Sequence, residues 1–342
     1  MKKKLIATLA IALSAMTITA CSTTPKPTFT PNWQSNVLSK EFKGTTETLV
    51  YDVTFEKTAF LQKDYYTVEY CGQDNSVPGT YTTKLEFLDD GTYKYSTDLS
   101  ATVTYTMTND PASQAVFTDS VKTEVIFHQT GKFLQPISSK KTVHCYSPKN
   151  AAATELKYAY TEFNYEFFIE YNEDLTQGTL TRTDYSKPRT LLSESRYPDG
   201  VAQLSFEIDQ KKYLYLDNEQ LLLALRALSN KELASAKKLL SYNASMLTMD
   251  SFSTTPGTAA KTNFELALNG EEAKSYAIDY TPVTLKNEGK NATLTQELWY
   301  AQTTESTTNK YRNVLLKMVT PIHYNIGRLT YSLRSATFSN EL

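Results

Sequence analysis

The sequence predicts an α+β fold, predominantly antiparallel β, in which a large curved sheet packs on a helical hairpin near residues 217–249. Three observations predict it. Short stretches with a hydrophobic residue at every second position recur from Leu49 to the C-terminus, which is the period of a half-buried strand. Tyrosine is abundant at 24 residues and glycine scarce at 11, a composition that suits pleated, half-buried surface and supplies no glycine-rich loop. One region, around residues 217–249, loses the alternation and turns apolar on nearly every side.

Taken in order, LVYDVTF (49–55), DYYTVEYC (64–71), YTTKLEFL (81–88), TYKYST (92–97) and TVTYTMT (102–108) read as strands. Asp89-Asp90-Gly91 between the third and fourth is a hairpin turn. VKTEVIFH (121–128), KTVHCY (141–146), AYTEFNYEFFIEY (159–171) and GTLTRTDY (178–185) continue the series, and hairpin connections of this kind make an antiparallel sheet. Asp217 is placed to cap a helix, with Gln220 three residues on completing a capping box. LLLALRAL (221–228) then forms a buried helix. Asn230 opens a second helix, KELASAKKLLSY (231–242), with Leu233, Ala236 and Leu240 on one stripe. Thr254-Thr255-Pro256-Gly257-Thr258 is a loop, after which strands resume at 263–269, 275–281, 292–301, 313–322 and 328–338. There is no internal repeat. Residues 41–342 read as one β-rich globular domain, with two domains as the alternative.

The N-terminus carries an address. Lys2-Lys3-Lys4, the apolar run LIATLAIALSAM (5–16) and a small-residue boundary at Ala20 have the three-part layout of a secretory signal peptide, and the run is too short for a membrane span, which needs roughly 20 residues. Ile18-Thr19-Ala20-Cys21 resembles the lipobox of bacterial lipoproteins, with Ile where Leu is commonest. The resemblance implies that residues 1–20 are removed and that Cys21 becomes a diacylated N-terminus. Two or more acyl chains hold a protein stably on a bilayer, so the chain is expected on the cell membrane or outer membrane, facing away from the cytoplasm. Ser22-Thr23-Thr24-Pro25-Lys26-Pro27-Thr28 begins an extended tether, spanning 21–40, between bilayer and domain. The order of elements also loosely resembles the lipid-carrier lipoproteins of bacterial envelopes, in which a half-barrel covers helices, although no residue motif carries that likeness.

Composition narrows the function classes. The formal net charge is −2, and the leader takes three further lysines with it, so nucleic acid is not an expected partner. No cofactor motif, metal constellation or nucleophile elbow is present. His128, His144 and His323 fall on three separate strands, and His144 and Cys145, as neighbours, point to opposite faces. The acidic pairs Asp89-Asp90 and Glu271-Glu272 sit in turns. Cys71 and Cys145 are either bridged, which in an oxidising envelope would stabilise by roughly 4 kcal/mol, or two separate buried thiols. Tyr158, Tyr160 and the rings of 163–167 would suit a ligand platform or a packed sheet equally. The resulting expectation is a non-catalytic, membrane-anchored lipoprotein. It would bind a lipid or other amphipathic ligand against Leu221, Leu222 and Leu225, or act as an envelope scaffold that binds a protein or wall polymer.

Lipidation requires the Cys21 thiol. Cys21→Ser is expected to leave unprocessed precursor or to release the protein from membranes; fractionation that finds the variant processed and still membrane-bound would refute lipid attachment.

Overall fold

The structure, a computed structural model, describes residues 45–58, 62–130, 133–149, 151–210, 213–226, 237–289, 295–302, 314–322 and 326–340. The strands are β1 (Thr45–Lys57), β2 (Tyr66–Tyr70), β3 (Gly79–Phe87), β4 (Tyr93–Met107), β5 (Gln114–Thr130), β6 (Phe133–Pro148), β7 (Tyr160–Tyr171), β8 (Gln177–Asp184) and β9 (Val201–Glu207). β10 (Leu214–Tyr215) leads through a 3-10 turn at Asn218–Gln220 into the short helix α1 (Leu221–Arg226). β11 (Lys237–Asn243), β12 (Thr248–Pro256), β13 (Ala260–Leu268), β14 (Lys274–Asn287), β15 (Thr295–Ala301), β16 (Leu315–Pro321) and β17 (Gly327–Asn340) follow.

All of these strands belong to one sheet. β4 to β9 run as an antiparallel meander. The other edge of β4 is shared by β3 and β2, and β3 continues through β1 to β17. From β17 the ladder passes antiparallel to β16, β15 and β14, whose far edge is divided between β13 and β12. Ala267 and Leu268 of β13 pair in parallel with Ser335 and Ala336 of β17, so β13 to β17 close into a five-membered ring. The long arm curls back by side-chain packing: Phe206 of β9 stacks on Tyr242 of β11 with ring centroids 3.7 Å apart. Among the described residues the architecture is therefore a β-barrel with the helix α1 as a plug.

This corrects the α+β expectation. Of the predicted hairpin, the described residues contain α1 at Leu221–Arg226, and Lys237–Asn243 is a strand paired antiparallel with β12 from Lys237↔Thr254 to Asn243↔Thr248. The reason is burial on both faces. Leu239 enters the main core while Leu240 and Tyr242 enter a second cluster with Phe167, Ile169 and Phe206, and a short apolar run buried on both sides has no period to tell strand from helix. The expected loop at 254–258 is in part the end of β12. Asn230, Leu233 and Ala236 lie outside the described residues. The pairs 92–97 and 102–108 prove to be one strand, β4, whose inward Tyr93, Tyr95, Ala101, Val103, Tyr105 and Met107 are buried. The Asp89-Asp90-Gly91 turn is present, with Gly91 at φ 85° and Asp90 Oδ1 accepting from Thr92 N at 2.9 Å.

Tyrosine fills the interior. Tyr51, Tyr66, Tyr105 and Tyr300 are fully buried, and each phenol donates to a backbone carbonyl: Tyr51 to Leu315 (2.8 Å), Tyr105 to Tyr146 (2.6 Å), Tyr300 to Leu222 of the helix (3.0 Å) and Tyr66 to Lys149. A ring buries large apolar area while its hydroxyl ties down a distant strand. Helix α1 lies inside the curled sheet. Leu223, Ala224 and Leu225 are buried in the main core, and Arg226, in the last turn, makes a two-pronged pair with Glu47 of β1 at 2.6 and 2.9 Å. Both side chains are 3% exposed.

Removing one partner of such a pair strands a buried charge, at a cost of about 3–5 kcal/mol, whereas replacing both by apolar groups is often neutral or stabilising. Glu47→Gln is therefore expected to lower the urea midpoint sharply, and Glu47→Leu combined with Arg226→Met to restore most of it. A single variant as stable as the parent would show that the pair does not hold the plug.

Candidate functional site

The residues singled out by the sequence scatter. Cys21 and His323 lie outside the described residues. Leu221 and Leu225 are buried in the core, and Leu222 is packed against it. Cys71 and Cys145 are free thiols: the first donates to Val53 O at 3.2 Å, the second to Ser120 O at 3.8 Å. Burial pushes both thiols above their ordinary pKa, the setting of an inert cysteine. His144 bonds Glu162 Oε1 at 2.9 Å and the Tyr146 hydroxyl at 3.2 Å. No group of His, Cys, Asp and Glu among the described residues is arranged to hold a metal. Glu271 pairs with Lys274 in its turn. Tyr160 packs on the core and Tyr165 on the second cluster, while Tyr158 is exposed.

Two polar clusters lie inside the barrel. Asp217 caps the helical segment as expected, with Oδ1 accepting from Glu219 N at 2.8 Å, and its Oδ2 accepts from Ser139 Oγ at 2.6 Å and the Tyr171 hydroxyl at 2.5 Å. Beside it, Lys141 Nζ donates to Glu219 Oε1 at 2.9 Å. Burial pushes the Asp217 carboxyl up, against the hydrogen bonds from Ser139 and Tyr171. The second cluster centres on Asp119 of β5, which accepts from Tyr146 N at 2.8 Å. Burial carries its pKa to about 7, despite that bond, one from Tyr70 and the field of His144. Both clusters are enclosed and serve to tie strands and helix together.

The outer face of β3–β6 offers a different surface. Here the sheet is concave, with a recess of about 420 Å³. Alternation sends Tyr81, Leu85, Tyr95, Val125 and Val143 into the core and their neighbours outward. The register aligns those outward residues in two rows that cross the strands. One row runs Lys84, Ser96, Glu124, Lys140; the other runs Thr82, Asp98, Lys122, Thr142 and, on β7, Glu166. Neighbouring strands are spaced about 4.8 Å apart, so each row is a regular ladder of polar groups. The lysines pair with acids on the same face: Lys84 with Glu86 at 2.7 Å, Lys122 with Asp98 at 3.2 Å and Lys140 with Glu166 at 2.9 Å. Sequence reading singled out none of these residues, and Asp98 and Lys140 lie outside the strands it predicted. The only signal was the alternation itself, and which outward residues line up depends on register.

The fold and this recess define the class: a single β-barrel body with a packed, helix-plugged interior and a polar trough on its outer face. Comparison of the sequence with family models and with curated proteins gives no match. Among solved structures, the chain is similar to one described as a beta-barrel-like protein of domain of unknown function DUF1849 from Brucella abortus, with a TM-score of 0.49 and 10% identity over 87% of this chain and 100% of that one.

Asp119 gives stability a definite pH dependence. Its carboxyl titrates at an ordinary 3.8 when unfolded and near 7 when folded. Between these values only the unfolded chain releases the proton, so rising pH favours unfolding across the window and the loss is constant above it. Asp119→Asn keeps an acceptor for Tyr146 N and removes the ionisation. The variant is expected to gain on the order of 3 kcal/mol relative to the parent between pH 4 and pH 8, read from urea melts. A difference between the two that does not change with pH would refute it.

Proposed function

We propose that the chain is a lipid-anchored, extracytoplasmic, non-catalytic module that holds an envelope partner, a wall polymer or a protein, in the outer trough of β3–β6. The trough is the observation that carries the reading. A recess of about 420 Å³ falls in the size range of ligand sites, and it is formed mainly by outward side chains such as Lys84, Ser96, Asp98, Lys122, Glu124 and Lys140. The helix leucines behind the lipid-carrier expectation are engaged in the core, with Leu221 5% and Leu225 0% exposed, so the apolar character of that helix is accounted for by the barrel interior. The address rests on Ile18-Thr19-Ala20-Cys21 and the proline-containing segment after it, which would place the barrel outside a bilayer while leaving its outer face accessible.

A photo-crosslinking amino acid placed at Ser96, inside the trough, is expected to form adducts in intact cells. The same residue at Glu265, exposed on β13, should form few. Equal yields at both positions, or none at Ser96, would overturn the trough as the contact surface.

A further inference from the structure

We infer that the trough takes a neutral, hydroxyl-rich saccharide chain, laid across the strands with one sugar ring against Tyr185; this inference rests on the trough being the contact surface. Charge is the first argument. The two rows carry Lys84, Lys122 and Lys140 against Asp98, Glu124 and Glu166, which balance, so the recess has no net field to hold a polyanion. Chemistry is the second. The remaining outward lining is hydroxylic, from Thr82, Ser96 and Thr142, while Thr97 and Thr123 behind them are bonded to each other at 2.7 Å. It lacks the aromatic or aliphatic centre that anchors a protein interface, while hydroxyl, carboxylate and ammonium groups offer both donors and acceptors to sugar hydroxyls.

Energetics favour exchange. The side chains of Lys122 and Asp98 are 63% and 51% exposed, and pairs this open contribute about 0–1 kcal/mol. A ligand hydroxyl can take over one of their bonds with little loss, and carboxylates accept such bonds strongly. Tyr185 supplies the apolar face that the trough floor lacks. Thr183 lies opposite Glu166, and Tyr185 follows two residues on, on the same face by alternation, with its N bonded to Asn164 O at 2.8 Å. At 53% exposure its ring is open at the margin of the trough, with an apolar face and a polar tip.

The test is calorimetric titration of the full-length acylated protein in nanodiscs with the N-acetylglucosamine tetramer, which is neutral, and separately with polyglutamate, which is anionic. The tetramer should bind at millimolar concentration or below, with little dependence on salt. Tyr185→Ala and Asp98→Ala should each weaken it about tenfold, equivalent to about 1.4 kcal/mol, at an unchanged thermal midpoint because both residues are exposed. No heat with the tetramer, binding indifferent to both substitutions, or binding of polyglutamate alone would overturn the saccharide. The Ser96 crosslink separates the two levels. A protein adduct at Ser96 without tetramer binding removes the saccharide and leaves the trough as contact surface, whereas neither adduct nor binding removes both.

Discussion

The interior of this barrel is organised around the buried pair between Glu47 and Arg226. α1 is held inside the sheet by burial of Leu223, Ala224 and Leu225 and, directionally, by the Arg226 guanidinium on the carboxylate of β1. Taking both charges out of water is costly, and the cost is offset only by good geometry; the two bonds at 2.6 and 2.9 Å provide it. Burial works against the Arg226 charge, but Glu47 outweighs it and holds the Arg226 pKa above the usual value, so the guanidinium stays charged. Its benefit is register. Glu47 sits opposite Leu85 of β3 and Phe338 of β17, at the junction between the meander and the closed ring, and Arg226 ties the helix to that junction.

The tyrosines extend the same principle outward from that pair. Aliphatic side chains fill an interior without fixing one strand against another. Phenols do both. Tyr51 spans from β1 to the carbonyl of Leu315 on β16, and Tyr300 from β15 to the helix. Desolvation pushes the Tyr95 phenol up to about 12, so it remains a neutral hydroxyl at physiological pH. Buried Asp217 accepts from Ser139 and Tyr171, and Asp119 from Tyr146 N, all distant in sequence, whereas the side-chain amide of buried Gln220 and the Ser241 hydroxyl have no partner among the described residues.

Inside and outside therefore carry different kinds of polarity. Inner charges are enclosed, and their bonds are committed to the fold. The charges of the outer trough are half-exposed, paired with one another and replaceable, and they are held in line by a backbone ladder that does not depend on them. A binding surface needs that combination: a rigid scaffold with side chains that lose little when a partner arrives.

The sequence by itself determined many of the strands but not their ends, since 92–97 and 102–108 are one strand, β4 (Tyr93–Met107). Wherever one face is buried and the other wet, as in Leu49-Val50-Tyr51-Asp52-Val53, alternation marks the strand, and Asp89-Asp90-Gly91 marks its turn. Asp217 was legible as a cap because its role is local. Tertiary structure alone decided the rest. Lys237–Asn243 is buried on both faces, so its pattern cannot distinguish a helix from a strand, and its pairing with β12 made the choice. Glu47 and Arg226 stand 179 positions apart, and Lys84, Asp98, Glu124 and Lys140 come from four strands. Nothing local links them, because strand register and sheet closure are set by the packing of the whole core.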